Sequence, residues 1–390
     1  MSENRRIAGD TEARGMDTPL LVIAGLILVI GLVMVASASI TLADKTTGSP
    51  FYYLTRQLVF FALGTGAGVL MYNLPLAWWQ RSGYLLLMLA FALLVMVLVP
   101  GIGRRINGSI RWVVLGSFHL QVSEVARILI FVYLAGYIVR RSEELASGLK
   151  GFMKPMLIIG GAGLLLLLEP DFGATLVLTA TAMAMLFIGG ARLRDFALFA
   201  GVGAAAAVVL VFTSPYRLAR LTGFLNPWQD PFDTGFQLTQ SLIAIGRGQF
   251  FGVGLGESVQ KLFYLPEAHS DFVFAVTAEE FGLFGSVVVI GLYLALTWRA
   301  ILVARRAAKR AQLFGAYLAF GIGTWIGLQA FINVGVNMGV LPTKGLTLPL
   351  MSYGGSSLIV SCAAIGLLMR VDREARDSGK WKSSEEEVAA

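Results

Sequence analysis

Residues 264–282 read YLPEAHSDFVFAVTAEEFG, a polar run that leads into an apolar segment long enough to begin a membrane span. The ionisable side chains in this stretch are Glu267, His269, Asp271, Glu279 and Glu280. If a helix begins at Pro266, Glu267 and Asp271 are four residues apart and share one face. Carboxylates inside lipid cost several kcal/mol unless they are paired or face water. The stretch therefore predicts either a catalytic or substrate-binding acid pair at the membrane surface, or acids that cap a helix.

The composition is that of a polytopic membrane protein. Of the 390 residues, 56% are hydrophobic and 14% are charged, whereas a soluble chain is about 25% charged. The apolar segments predict an all-α integral membrane protein with ten transmembrane helices. The single cysteine, Cys362, lies in one of them and cannot form an internal disulfide. The predicted spans are approximately residues 19–42, 57–73, 82–99, 122–139, 155–168, 174–188, 196–213, 271–298, 312–338 and 346–368.

The distribution of basic residues predicts the orientation. Ten spans place both termini on one side, and a cytoplasmic assignment puts about 20 Lys and Arg inside and about 10 outside. Residues 1–18 and 371–390 are then cytoplasmic tails of one membrane domain, 19–370, whose large periplasmic loop is 214–270. The other outward loops are 43–56, 100–121, 169–171 and 339–345. Because this topology accounts for the net charge of +7, the charge does not indicate a nucleic-acid partner.

Two outward loops carry residues suited to phosphate. Loop 100–121 contains three arginines, Arg104, Arg105 and Arg111, on the side where basic residues are usually scarce. They predict either phosphate recognition by guanidinium groups or contact with anionic lipid headgroups. The glycine-rich segment 246–256, GRGQFFGVGLG, predicts either backbone N–H groups that face a phosphate or tight turns against the membrane.

Two further features lie within apolar segments. Glu124 and Arg127, three residues apart on the fourth span, predict an ion pair that fixes packing, with substrate contact as the alternative. Prolines and paired glycines in residues 341–357, LPTKGLTLPLMSYGGSS, predict a broken helix beside a cavity.

Four motifs in chain order resemble the SEDS family of bacterial cell-wall proteins, whose members include FtsW, RodA and SpoVE. They are DPFDTGFQLTQS (230–241), GVGLGESVQK (252–261), LPEAHSDFVFA (265–275) and LMSYGGSS (350–357). The similarity covers nearly all of 18–370, and the segments GLVMVASAS (31–39) and LPTKG (341–345) resemble the division branch. The departures are small: Ser270 stands where threonine is expected, and Glu257 where asparagine is common.

The resemblance implies a peptidoglycan glycosyltransferase that polymerises lipid II on the outer face of the cytoplasmic membrane. The essential acid of the family corresponds to Asp271, which is expected to act as general base while undecaprenyl pyrophosphate leaves. A single displacement of this kind inverts the anomeric centre. The residues expected to bind substrate are Arg111, Lys344, Glu267, His269, Arg105, Ser352 and Gly354.

The same resemblance implies a place and partners. The protein is expected in the cytoplasmic membrane at the division septum, with lipid II, membrane lipids, a class B penicillin-binding transpeptidase (FtsI) and the FtsQ–FtsL–FtsB complex. A divalent cation, Mg²⁺ or Mn²⁺, that bridges acids and pyrophosphate is compatible with the chemistry, and the sequence alone does not decide whether one binds.

Two other functions fit part of the pattern. A lipid II transporter also has many spans, internal charges and broken helices, but here the polar motifs cluster on one predicted face. Polymer formation in detergent distinguishes the two, because no second leaflet is then present. A divisome scaffold without chemistry predicts instead that Asp271 is dispensable for cell division.

Overall fold

The computed structural model describes residues 16–106, 109–116, 118–213, 223–233, 235–262, 264–342 and 345–389. Most of these residues are helical. In chain order the helices are α1 (Thr18–Thr47), α2 (Tyr52–Asn73), α3 (Leu76–Arg81), α4 (Gly83–Leu98), α5 (Val122–Arg140), α6 (Ser142–Ser147), α7 (Leu149–Leu168), α8 (Phe172–Ile188), α9 (Leu193–Phe212), α10 (Phe236–Gly248), α11 (Val273–Lys309), α12 (Leu313–Asn337) and α13 (Gly355–Ala389).

Seven helices in the described part are long and apolar enough to cross a membrane. They are α1, α2, α5, α7, α11, α12 and the first part of α13, Gly355–Asp377. Helices α4 and α8 are apolar but shorter. Helix α5 is the most enclosed of the seven, because nearly every side chain from Val122 to Ile138 is buried. The prediction of a helical, multi-pass fold is confirmed at this level.

The expectation of an all-α protein is wrong in one region, because loop 100–121 contains a three-stranded antiparallel sheet. Its strands are β1 (Gly103–Ile106), β2 (Ser109–Leu115) and β3 (Phe118–Gln121), in the order β1-β2-β3. Trp112 of β2 lies opposite Arg104 of β1 and Gln121 of β3. Strand β2 reads SIRWVVL, whose β-branched and aromatic residues are a strand signal. The sheet therefore carries Arg111 on its central strand.

The turn before α11 is not helical, which contradicts the prediction of a helix from Pro266. Helix α11 begins at Val273, and Glu267 has a positive φ of 56°. Side chains from α12 hydrogen-bond the backbone of this turn, and those tertiary contacts take the place of a first helical turn. Glu267 and Asp271 are therefore not on one face of a helix.

The glycine-rich segment 246–256 docks into a break in α11. At Gly282 the helix leaves helical geometry, with φ 64° and ψ −157°. The Leu283 N–H donates to a carbonyl of the segment (2.8 Å), and the Val253 N–H donates to a carbonyl of α11 (3.0 Å). A Cβ atom on Gly252 would lie 2.1 Å from an α11 carbonyl, so the approach requires glycine. The geometry supports the interpretation of tight turns, because these backbone groups pair within the protein.

The two acids deeper in α11 hold the same docked loop. Arg247 pairs with Glu279 (3.2 Å), and Lys261 pairs with Glu280 (2.9 Å). The Ser37 hydroxyl of α1 also donates to Glu280 (2.6 Å). Both carboxylates are fully buried, so these partners offset the cost of removing them from water.

An ion cluster ties the start of α1 to the last third of α11 and the middle of α13. Asp17, which caps α1, accepts hydrogen bonds from Arg299 (2.6 Å) and Arg306 (2.8 Å) of α11. Asp372 of α13 pairs with Arg306 and with Arg376 (2.7 Å). Because α13 continues past residue 370, these two α13 residues belong to the folded domain rather than to a separate tail.

Candidate active site

Asp271 lies in the turn directly before α11, and its side chain is partly exposed. Two side chains of α12 hold its backbone carbonyl: Asn333 donates at 2.9 Å and Asn337 at 3.1 Å. The Asn337 side-chain oxygen also accepts from the Ala275 N–H of α11 (3.1 Å). A Cβ on Gly345 would lie 2.9 Å from the Asp271 carboxylate, so the absent side chain leaves room for it. The aspartate is thus held rigidly by its backbone, while the residue as a whole stays partly exposed.

His269 is buried between two tyrosine rings. Its ring centroid lies 4.9 Å from that of Tyr53 and 5.3 Å from that of Tyr353. The Tyr353 N–H donates to the His269 carbonyl (2.9 Å). Burial lowers the pKa of His269, against the opposing charge of Glu267, so the imidazole is neutral at pH 7. These contacts brace the turn that carries Asp271.

Ser352 and Gly354 belong to the segment that supports the same turn. The buried Ser352 hydroxyl donates to the Ser270 carbonyl (2.6 Å) and accepts from the Leu348 N–H (2.8 Å). Gly354 is partly exposed, and a Cβ there would meet only side-chain carbons at 3.4 Å or more. For Ser352 the geometry therefore supports a bracing role, and substrate contact by either residue stays a prediction.

Arg111 is held at the site by Asp171, which precedes α8. The guanidinium Nη1 lies 3.4 Å from the Asp171 Oδ1. Gln121 (3.2 Å) and Ser123 (3.3 Å) donate to the other carboxylate oxygen, and the Ala174 N–H donates to Oδ1 (3.1 Å). The Arg111 side chain keeps 19% of its surface exposed, so it can bind a further anion.

The electrostatic surroundings of Asp271 suit acid–base chemistry. Burial raises the pKa of its carboxyl to about 7, and the negative charges of Glu267 and Asp171 add to this effect. The positive charge of Arg111 acts in the opposite direction. Glu267 is exposed, and its carboxylate accepts from the Ser270 hydroxyl (2.6 Å). A carboxyl with a pKa near 7 can accept a proton and release it again at neutral pH.

Two predicted site residues stay predictions. Arg105 is exposed on β1, and Lys344 lies outside the described residues. Conversely, Asp171 and its fully buried neighbour Glu169 lie at the site and were not predicted as site residues. Their signal was an acidic pair, separated by a proline, that interrupts two apolar segments at a predicted outward turn.

The model of the FtsW/RodA/SpoVE family, which is described as "Cell cycle protein", matches residues 17–377 of this chain. The chain belongs to this family. The resemblance drawn from the four motifs is thereby confirmed, and it extends over the whole membrane domain.

Relatives in the FtsW/RodA/SpoVE family are similar over nearly their full length. A protein of Thioalkalivibrio sulfidiphilus, named probable peptidoglycan glycosyltransferase FtsW, is 59% identical over 367 residues, which are 94% of this chain and 92% of that protein. The protein of the same name from Coxiella burnetii is 53% identical over 349 residues, which are 89% of this chain and 94% of that protein.

Solved structures of the family share the fold. A chain from work on structural coordination of polymerization and crosslinking by a peptidoglycan synthase complex has a TM-score of 0.76 and 30% identity, with 93% of this chain and 99% of that chain covered. The rod shape determining protein RodA of Thermus thermophilus has a TM-score of 0.70 and 30% identity, with 93% and 98% covered.

Glu124 and Arg127 face one another inside this family fold without a direct bridge. Both are buried on α5, but no ion pair within 4.0 Å joins them in the described part of the chain. Arg127 donates instead to the Gln329 side chain (2.7 Å) and lies over the Trp325 ring of α12 (5.3 Å). Glu124 interacts with the hydroxyls of α13 and, at longer range, with the charge of Arg127. The predicted direct contact is therefore replaced by contacts to neighbouring helices.

Proposed function

We propose that the protein is a peptidoglycan glycosyltransferase that polymerises lipid II into glycan strands for septal wall synthesis during cell division. The names of its relatives support this class of enzyme. The single structural observation that carries the mechanism is the placement of Asp271, with a pKa of about 7, in a rigid turn beside the cation Arg111.

Asp271 acts as general base. Its carboxylate takes the proton of the 4-hydroxyl of one lipid II while that oxygen forms a bond to C1 of the donor sugar. The bond between C1 and the pyrophosphate oxygen breaks, and undecaprenyl pyrophosphate departs with the electron pair. The attack inverts the anomeric centre. Since only the ionised carboxylate can accept the proton, polymerisation rises with pH through about 7.

Arg111 stabilises the negative charge of the leaving pyrophosphate. Its guanidinium is oriented by Asp171 and remains partly exposed, which is the arrangement that a fixed phosphate ligand requires. Lys344 and the exposed Arg105 supply further positive charge to the phosphates in this proposal, and Glu267 and His269 shape the turn beside the sugar.

The proposed glycosyl transfer includes no step that requires a divalent cation. In the described residues no group of three or more His, Cys, Asp or Glu side chains is arranged to hold a metal ion. The Asp171 carboxylate beside Arg111 is already committed, since it accepts four hydrogen-bonding or ionic contacts from protein groups. The described residues therefore supply no ready-made metal site, and the proposed mechanism does not depend on one.

The proposed topology is ten spans with both termini in the cytoplasm and the Asp271 turn on the outer face of the inner membrane. The excess of basic residues in the inward segments supports it. The likeness to a chain of a peptidoglycan synthase complex supports a crosslinking partner, for which we propose a class B penicillin-binding transpeptidase (FtsI). The FtsQ–FtsL–FtsB complex, membrane lipids and the division septum complete this proposal.

The decisive test is polymerisation of purified lipid II in detergent by wild type and by Asp271→Asn. The variant keeps the size and planar shape of the side chain but cannot accept the proton, so we expect the polymerisation rate to fall on the order of a thousandfold. Asp44→Asn makes the same change at an exposed acid of α1 and should retain the wild-type rate.

The competing functions give different results in this assay. A transporter of lipid II forms no polymer in detergent with either protein. A scaffold gives no polymer and supports division equally well with Asp271 or Asn at that position. Wild-type polymerisation by the Asp271→Asn variant would eliminate the general base.

A further inference from the structure

Glu169 is a buried acid that has no assigned task. It lies in the short turn between α7 and α8, where its N–H donates to the Leu165 carbonyl (3.1 Å). Its side chain is fully buried, and neither carboxylate oxygen has a hydrogen-bond partner among the described residues. The neighbouring Asp171, by contrast, has both oxygens occupied. The fold therefore leaves the Glu169 carboxylate without a hydrogen bond, whereas Asp171, two residues further along the chain, has a partner for each oxygen.

Such an environment favours the uncharged acid. An ionised carboxylate that is removed from water without a partner costs several kcal/mol, whereas the neutral acid costs much less. Burial raises the pKa of Glu169 to about 8, and the negative charge of Asp171 acts in the same direction. The positive charge of Arg111 opposes both effects and does not overcome them. At neutral pH the Glu169 side chain is thus mainly protonated.

The protonation state of Glu169 decides the net charge around Arg111. With Glu169 neutral, Arg111 and Asp171 sum to zero, and the guanidinium can still attract the phosphates of a ligand. With Glu169 ionised, the group carries one net negative charge and repels them. Asp271 lies in the field of the same Arg111 and Asp171. Glu124 and Arg127 of α5 also lie in the field of Asp171, whereas Gln121 and Ser123, which donate to Asp171, carry no charge.

We propose that Glu169 is a positioning residue that holds a proton while Arg111 binds the lipid pyrophosphate, and that loss of this proton closes the site to pyrophosphate. The inference rests on the proposed function, because it assumes that Arg111 receives the pyrophosphate. It adds a switch that senses alkaline pH, located in the turn whose Asp171 pairs with Arg111.

The direct test is the binding of undecaprenyl pyrophosphate to purified protein at pH 7 and pH 9. For wild type the dissociation constant should rise about tenfold, because about nine-tenths of a group with a pKa of 8 is ionised at pH 9. For Glu169→Gln, which cannot ionise, the rise should be less than twofold. Asp44→Asn should follow wild type. A Glu169→Gln variant that weakens as much as wild type overturns the proposal.

Polymerisation gives a second readout. We expect a bell-shaped profile for wild type, with the rise near pH 7 from Asp271 and the fall near pH 8 from Glu169. Glu169→Gln should exceed wild type about twofold at pH 8 and about tenfold at pH 9, with the difference in KM rather than kcat. An unshifted alkaline limb, or a change confined to kcat, contradicts a role in pyrophosphate binding.

An infrared titration separates failure of this inference from failure of the proposed function. Wild type should show the carbonyl band of a protonated carboxylic acid at pH 7 that disappears by pH 9, and the difference spectrum against Glu169→Gln should contain it. Absence of the band in wild type overturns the inference even if the variant does not fold. Presence of the band in the difference spectrum against Glu169→Gln, together with no polymer from wild type, overturns only the enzymatic assignment.

Discussion

Asp17 at one end of the membrane domain and Asp271 at the other are both acids in tight turns before a long helix, yet the fold treats them differently. Asp17 is fully buried and is held by Arg299, Arg306 and the Leu20 N–H. Burial acts to raise the pKa of Asp17, but the hydrogen bonds from the two arginines outweigh it and lower the pKa. Burial raises the pKa of Asp271 to about 7 because its carboxylate has no comparable partner.

The comparison shows how one residue type serves stability at one end and chemistry at the other. A lowered pKa means that the ionised acid stabilises the fold, whereas a raised pKa means that ionisation costs folding free energy. A general base needs a pKa near the working pH, so a fully paired carboxylate is unsuited to the task. Asp17, which joins helices, therefore has arginine partners, whereas Asp271, which exchanges a proton in the proposed mechanism, has no such partner.

After the loss expected for Asp271→Asn, the largest expected effect concerns the cation of the outer site. Arg111→Gln should lower polymerisation at low lipid II concentration on the order of a hundredfold, and Arg111→Lys on the order of tenfold, because lysine keeps the charge but loses the planar fork. Arg104→Gln, on the exposed neighbouring strand, is the control and should stay within twofold of wild type. Wild-type activity in Arg111→Gln would remove phosphate recognition from this end of the molecule.

A smaller effect is expected at the inner end, on stability rather than on rate. Asp17→Asn should lower the Tm in detergent by several degrees at pH 7, because it leaves Arg299 and Arg306 without their shared anion. Since the pKa of Asp17 is lowered on folding, its contribution is present above the unfolded value of about 4 and is lost as pH falls through the folded value. Wild type and variant should therefore converge as the pH falls below the lowered pKa of Asp17. Asp44→Asn, near the other end of α1, should not change the Tm.

The smallest effect has the opposite sign. Asp271→Asn should raise the Tm by a few degrees at pH 8, because it removes a charge whose burial destabilises the fold. The pKa of Asp271 is raised on folding, so the advantage should be absent near pH 3.5, grow between about pH 4 and 7, and then stay constant. A lower Tm for the variant at pH 8 would mean that the ionised Asp271 stabilises the fold as Asp17 does, which would contradict the difference drawn between the two acids.

Patterns of neighbouring residues predicted the parts of this protein that depend on local sequence. The apolar segments predicted helices in a membrane, the four motifs predicted the family, and the HSD triplet at 269–271 singled out Asp271. Strand β2 was not predicted, although SIRWVVL is rich in β-branched and aromatic residues that favour a strand. Its position between two predicted spans led to its assignment as a loop.

Contacts between distant segments decided the rest. The residues before Val273 form a turn instead of the predicted helix, because Asn333 and Asn337 bind the backbone of that turn. Segment 246–256 packs into a break in α11 at Gly282, whose backbone is not helical. The sequence by itself determined a membrane protein of this family with an acid at the head of a span. Only the tertiary structure decided which acids are paired, because the pKa of a buried carboxyl depends on partners brought from elsewhere in the chain.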